Sequence, residues 1–290
     1  MTAMRADQKE LVERYLRGET DVVPPRDAAS IVLLRDGAAG PEVYLLRRRP
    51  TMAFAAGMHV YPGGSVDPRD REAAAHWAGP PPAAWAAAFS CDTELATELV
   101  AAAVRETFEE SGVLLAARAD GTPVTDTTGE DWERDRLALI AGELALADFL
   151  EARGLVLRAD LLRAWAHWIT PEWQTRRFDT RFFLAALPAG QRTRDVGGEA
   201  DRVAWLPVAE AFEGFRDGSL TMMNATAATL RDLTAHPDVA SAMAAPRRIR
   251  PILGRPVLTD GRLDYLYDGD DGPVGLAELV EPLGARPSGG

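Results

Sequence analysis

The chain has 290 residues, 44 acidic against 32 basic, with a formal net charge of -12; 47% of the residues are hydrophobic and 26% charged. This is the composition of a globular protein with ample material for a core, and it excludes several classes. The acid excess argues against wholesale nucleic-acid binding, no apolar run is long enough to span a bilayer, and no secretory signal precedes Arg14.

The one cysteine, Cys91, excludes an internal disulfide framework. A cytoplasmic protein with neither a nucleic-acid nor a membrane partner is expected. Lys9 is the only lysine, a bias that fits a GC-rich coding sequence and locates no site.

In chain order, residues 1–26 form an arm: a short charged helix anchored by Leu11, Tyr15 and Leu16, then a breaker with Pro24 and Pro25. Residues 28–34 and 42–47 alternate as a hairpin. Residues 54–66 form a Gly-rich loop centred on Tyr61-Pro62-Gly63-Gly64, and 68–90 are an Ala/Pro/Trp-rich insertion with a short helix at 71–77. Asp92 or Thr93 caps a helix running to Ser111, which Gly112 stops. A strand follows at 113–116 and a polar loop at 117–129.

Residues 132–153 carry helical spacing at Leu137, Ile140, Leu144 and Leu150, and a second short helix is expected at 160–166. Strands follow at 177–187 and 202–206, helices at 208–215 and 221–235, a final hairpin from 249–257 and 263–267, and a flexible tail from 281. The mixture of strands and helices reads as α/β or α+β.

The chemistry concentrates in Arg105-Glu106-Thr107-Phe108-Glu109-Glu110-Ser111-Gly112-Val113. On a helix, Glu106, Glu109 and Glu110 share one face. Their mutual repulsion weakens the helix unless a cation joins them, and all-oxygen ligands suit Mg2+ or Mn2+. Arg105, four residues before Glu109, is placed to brace that carboxylate, while Ala103, Val104, Thr107 and Phe108 form the packing face. Several other residues read as structural: Cys91 as inert, His59 as a loop residue, Asp179 as an ion-pair partner of Arg177 or Arg181, and Trp165, Trp168 and Trp173 as core.

These residues resemble the second half of the Nudix box, and Tyr61-Pro62-Gly63-Gly64 is similar to its entry. The long stretch between them is an insertion inside the box. The glutamate that the box expects eight positions before the arginine is Thr97 here, with Glu98 one residue late.

Leu45-Leu46-Arg47-Arg48-Arg49 and residues 57–64 are similar to the coenzyme A motif of the coenzyme A diphosphatase branch. Pro50 and Tyr61 depart from that motif, and it has no second arginine near Phe54. Trp168-Ile169-Thr170-Pro171 and Arg177 to Phe183 also resemble that branch. The final Pro287-Ser288-Gly289-Gly290 leads to no expectation of a peroxisomal address.

The resemblance implies a Nudix-type α/β/α sandwich with a mixed sheet, a helical insertion in the box and added C-terminal helices. The expected organisation is an arm at 1–26 and a Nudix domain at 27–210, with insertions at 65–92 and 130–166. Helices, a hairpin and a flexible tail follow at 211–290. The resemblance also implies metal-dependent hydrolysis of a nucleoside diphosphate linked to another moiety, coenzyme A or an acyl-coenzyme A above all. ADP-ribose or NADH, or binding without cleavage, are the alternatives. Glu106, Glu109 and Glu110 are the expected metal ligands, with Arg105 in the catalytic set and Arg49, Gly63 and Gly64 toward the substrate. Glu199 is a candidate general base. The box insertion is open to two readings, a cap over the pocket or a homodimer contact.

Overall fold

The computed structural model describes residues 6–51, 55–194, 200–259, 262–269 and 272–283. Helix α1 (Ala6–Leu16) precedes the hairpin β1 (Arg26–Gly37) and β2 (Gly40–Arg48), then β3 (His59–Val60) and β4 (Gly63–Ser65). A 3-10 helix (Pro68–His76), β5 (Trp77–Ala78) and α2 (Pro82–Phe89) lead to α3 (Thr93–Ser111). Then come β6 (Ala116–Arg118), α4 (Glu130–Ile140), α5 (Leu146–Arg153), β7 (Leu155–Arg158), β8 (Leu162–Ile169), β9 (Phe178–Ala186) and β10 (Ala200–Pro207). Beyond them lie α6 (Val208–Asp217), α7 (Asn224–Leu233), α8 (Val239–Ala244), β11 (Pro251–Leu253), β12 (Arg255–Thr259), β13 (Arg262–Gly269), β14 (Gly272–Gly275) and α9 (Leu276–Leu279).

The main sheet is ordered β10-β2-β1-β9-β8-β11, with β3 paired to β2 and β4 to β1. It is mixed: β1 runs parallel to β9 and β11 to β8, whereas the other pairs are antiparallel. Alternation along β1 sets the layers. Ala29, Ile31 and Leu33 pack with α3 on one face. Val32 and Leu34 face α6, α7 and α8 on the other. This is the expected α/β/α sandwich.

Several local expectations are corrected. The helix expected at 160–166 is reduced to a 3-10 turn at Ala159–Leu161: β8 follows, lying between β9 and β11 in the main sheet, where two neighbours satisfy its backbone and override the helix preference of Leu and Ala. Residues 130–166, expected to be helical, thus also contain β7 and the start of β8. Residues 132–153 are two helices, broken at Gly142 with φ +69°, and Leu137 and Ile140 are each 52% exposed.

The strand expected at 113–116 begins only at Ala116, because the Leu114 N–H and C=O are both taken by the Gln191 amide. The Gly-rich loop contributes β3 and β4 to the sheet. The short helix expected at 71–77 is the 3-10 turn at Pro68–His76. Residues 251–253 join the main sheet rather than the hairpin. In α1, Val12 is the buried anchor and Leu16 is 48% exposed. Phe54, Glu199 and the tail from 284 lie outside the described residues.

Candidate active site

Helix α3 positions the carboxylates. The Asp92 side chain accepts from the Leu95 N–H at its start, and Gly112 ends it at φ +73°. Ala103, Val104, Thr107 and Phe108 are fully buried, so the helix is fixed on the sheet and its other face carries Glu106, Glu109 and Glu110. The Gly63 N–H donates to Glu110 Oε2 at 2.8 Å. A Cβ on Gly64 would lie 2.4 Å from Glu106 Oε1, and one on Gly63 would lie 2.5 Å from the Ala29 carbonyl oxygen. Gly63 therefore cannot carry a side chain against the β1 backbone, and a side chain at 64 would displace the Glu106 carboxylate.

Arg105 does more than brace Glu109. Its Nη1 donates to Glu106 Oε1 at 2.7 Å and to Glu109 Oε1 at 3.3 Å. Its Nε and Nη2 each lie 3.0 Å from the Asp70 carboxylate, and Nη2 also reaches the Ser65 carbonyl. Asp70 is 2% exposed. It lies in the 3-10 turn, where it also closes a reciprocal cap with Asp67.

Asp70 is the residue of this cluster that the sequence reading misses, because residues 65–92 read as an insertion. Its signal is the Asp67-Pro68-Arg69-Asp70 capping pattern. Neither Thr97 nor Glu98 takes this place: Thr97 Oγ1 bonds the Thr93 carbonyl and Glu98 pairs with Arg71 at 3.1 Å.

Arg105 thus pairs with Asp70, Glu106 and Glu109. Burial, and then the charge of Glu106, raise the Glu109 pKa to about 7. Among the described residues, no three acidic, histidine or cysteine side chains converge into a ready cation cage. The donor set nevertheless fits a hard divalent ion, being all oxygen and set against a glycine backbone that leaves Glu106 room.

The cluster opens into a cavity of about 1990 Å³. Its walls include Glu106, Glu109, Glu110, Gly63 and Gly64 and the apolar side chains of Trp168, Phe178, Phe182, Met222 and Tyr267. Arg48, rather than the exposed Arg49 that the sequence suggests, is at its wall.

Other expectations sort themselves by burial. Trp165, Trp168 and Trp173 are buried, the last two at the cavity wall. Asp179 pairs with Arg181 and with His167, whereas Arg177 bonds main-chain oxygens instead. Burial raises the Cys91 pKa, which suits an unreactive thiol.

A family profile described as the NUDT19 Nudix domain matches residues 87–228. The human acyl-coenzyme A diphosphatase NUDT19 is 32% identical over 248 residues, covering 73% of this chain and 63% of that protein. The chicken (Gallus gallus) protein of the same name is 30% identical over 242 residues, covering 66% and 63%. The chain thus spans less than two thirds of these curated relatives. The crystal structure of a NUDIX hydrolase from Alicyclobacillus acidocaldarius is 33% identical and superposes with a TM-score of 0.70, covering 79% of this chain and 99% of that one. With the box glutamates on α3 facing the glycine pair and nearly all of that hydrolase matched, this chain belongs to the Nudix hydrolase family.

Proposed function

We propose that this protein hydrolyses the diphosphate of coenzyme A or an acyl-coenzyme A, with Mg2+ or Mn2+, to give two phosphomonoesters. The observation that carries the reading is the acidic cluster in the wall of a large cavity that also presents aromatic and aliphatic side chains. Its volume exceeds the roughly 300–1,000 Å³ of an ordinary ligand pocket, which leaves room for a substrate extending beyond its diphosphate. Glu106, Glu109 and Glu110 would hold the ion. When bound, such an ion polarises phosphoryl oxygens and lowers the pKa of a coordinated water.

The protein's own contribution is orientation. Arg105 holds Glu106 and Glu109, and Asp70 keeps the guanidinium from turning away. Gly63 fixes Glu110 through its N–H. Gly64 keeps the backbone bare where Glu106 sits, and Arg48 supplies positive charge at the cavity wall.

The test is release of phosphomonoesters from coenzyme A, acyl-coenzyme A, NADH and ADP-ribose in the presence of Mg2+ or Mn2+. Cleavage of coenzyme A or its thioesters into adenosine 3′,5′-bisphosphate and a phosphopantetheine supports the proposal. Preference for NADH or ADP-ribose replaces the substrate. Tight binding of one of them with no cleavage replaces the activity by nucleotide sensing.

A further inference from the structure

The last turn of a helix leaves its carbonyls without in-helix donors, and in α3 that turn bears the site. Gly112 gives its N–H to the Phe108 carbonyl, and the Val113 N–H goes to Ser111 Oγ at 3.2 Å. The Glu109 carbonyl is therefore left to a donor from outside the helix. Arg136, on α4, provides it: its Nη1 donates to the Glu109 main-chain oxygen at 2.7 Å.

The Arg136 guanidinium is 2% exposed and is gripped by Glu133, Nε to Oε2 at 2.9 Å and Nη2 to Oε1 at 2.5 Å. Glu133 also accepts from Arg194 Nη1 at 3.1 Å. The Arg194 N–H bonds the Ser111 carbonyl at 2.9 Å, and Thr127 Oγ1 bonds that of Gly112 at 2.7 Å. Contacts from α4 and two loops thus hold the end of the glutamate helix, with a buried cation where the helix dipole favours one.

We infer that Arg136 is a positioning residue for the metal-binding reaction: it fixes the Glu109 backbone and, through it, the carboxylate. The inference rests on the metal-dependent reading above. Arg136 also lines the cavity into which Glu109 projects, so its contact is made at the site. Displacements of about 1 Å in such a constellation cost roughly a hundredfold in rate, and partners one step behind a ligand typically tune metal affinity by about 10–100-fold.

The experiment measures Mn2+ affinity of the full chain from the electron paramagnetic resonance signal of the free ion, beside circular dichroism, for Arg136→Met and Arg136→Lys. Met should weaken Mn2+ binding about tenfold with native ellipticity, by the magnitude such outer partners show. Lys, which keeps one donor for the carbonyl, should return to within about threefold of the parent. A natively folded Met variant with parental affinity, or a Lys variant no better than Met, overturns the inference.

If the Met variant does not fold, Glu133→Gln decides in its place by freeing the guanidinium. A weakening of about threefold or more supports the assignment, and unchanged affinity overturns it. A parent chain that binds no Mn2+ removes the metal-site reading itself, an outcome distinct from unaltered variants of a binding parent.

Discussion

Helices α3 and α4 touch, yet they are held by different forces. In α3 the apolar face is sealed: Leu99, Val100, Ala103, Val104 and Phe108 are fully buried. Packing there, rather than propensity, holds an element whose clustered acids would otherwise weaken it. Helix α4 leaves Leu137 and Ile140 half exposed. It docks through the buried Arg136 and Leu139 and through Trp132, whose ring meets Phe108 and Phe149 edge-on. The difference teaches that apolar spacing predicts a helix in both cases, but not which of its apolar positions a neighbouring element covers.

The contrast can be broken first at the chemistry of α3. Glu109→Gln is expected to lower turnover by roughly a thousandfold or more while far-ultraviolet circular dichroism stays native. Near-parental activity on the substrate panel would remove Glu109 from the site.

The second test uses the charge strain on the same helix. The Glu109 pKa is about 7 in the fold against an ordinary 4.5. A raised carboxylate pKa means that the folded state binds more protons, so stability falls as pH rises from about 4.5 to about 7. The loss at this site is of order 3 kcal/mol without metal. Urea unfolding in EDTA across pH 5 to 8 should show that slope, and Glu109→Gln should flatten it.

The smallest effect sharpens the comparison from the α4 side. Leu137→Ser should change stability by no more than about 0.5 kcal/mol, whereas Phe108→Ala on α3 should cost about 3–5 kcal/mol. Thermal or urea melts of the pair compare the two faces directly. A Leu137 effect of Phe108 size would mean that α4 is buried against something in solution.

Much of this is legible in the residues. The β1–β2 hairpin, α3 with its Asp92 cap and Gly112 stop, and the strand over Phe178–Ala186 all follow from local pattern. The resemblance to the box also placed Gly63 and Gly64 at the substrate side of the same site, although their contacts with Glu106 and Glu110 emerge only in the fold. The strand β8 is not legible, because Leu-Arg-Ala-Trp-Ala-His-Trp-Ile reads equally well as helix until two neighbouring strands take its backbone. Leu114 reads as strand for the opposite reason: its apolar character is spent on the core while its backbone pairs with a glutamine side chain.

The order of residues alone determined which carboxylates share a helical face, because that depends only on a repeat of about 3.6 residues per turn. Tertiary structure decided what restrains them. Asp70 lies 35 residues before Arg105 and Arg136 lies 27 after Glu109. Contacts at such separations depend on how the chain closes its loops and packs its layers, which no local periodicity encodes.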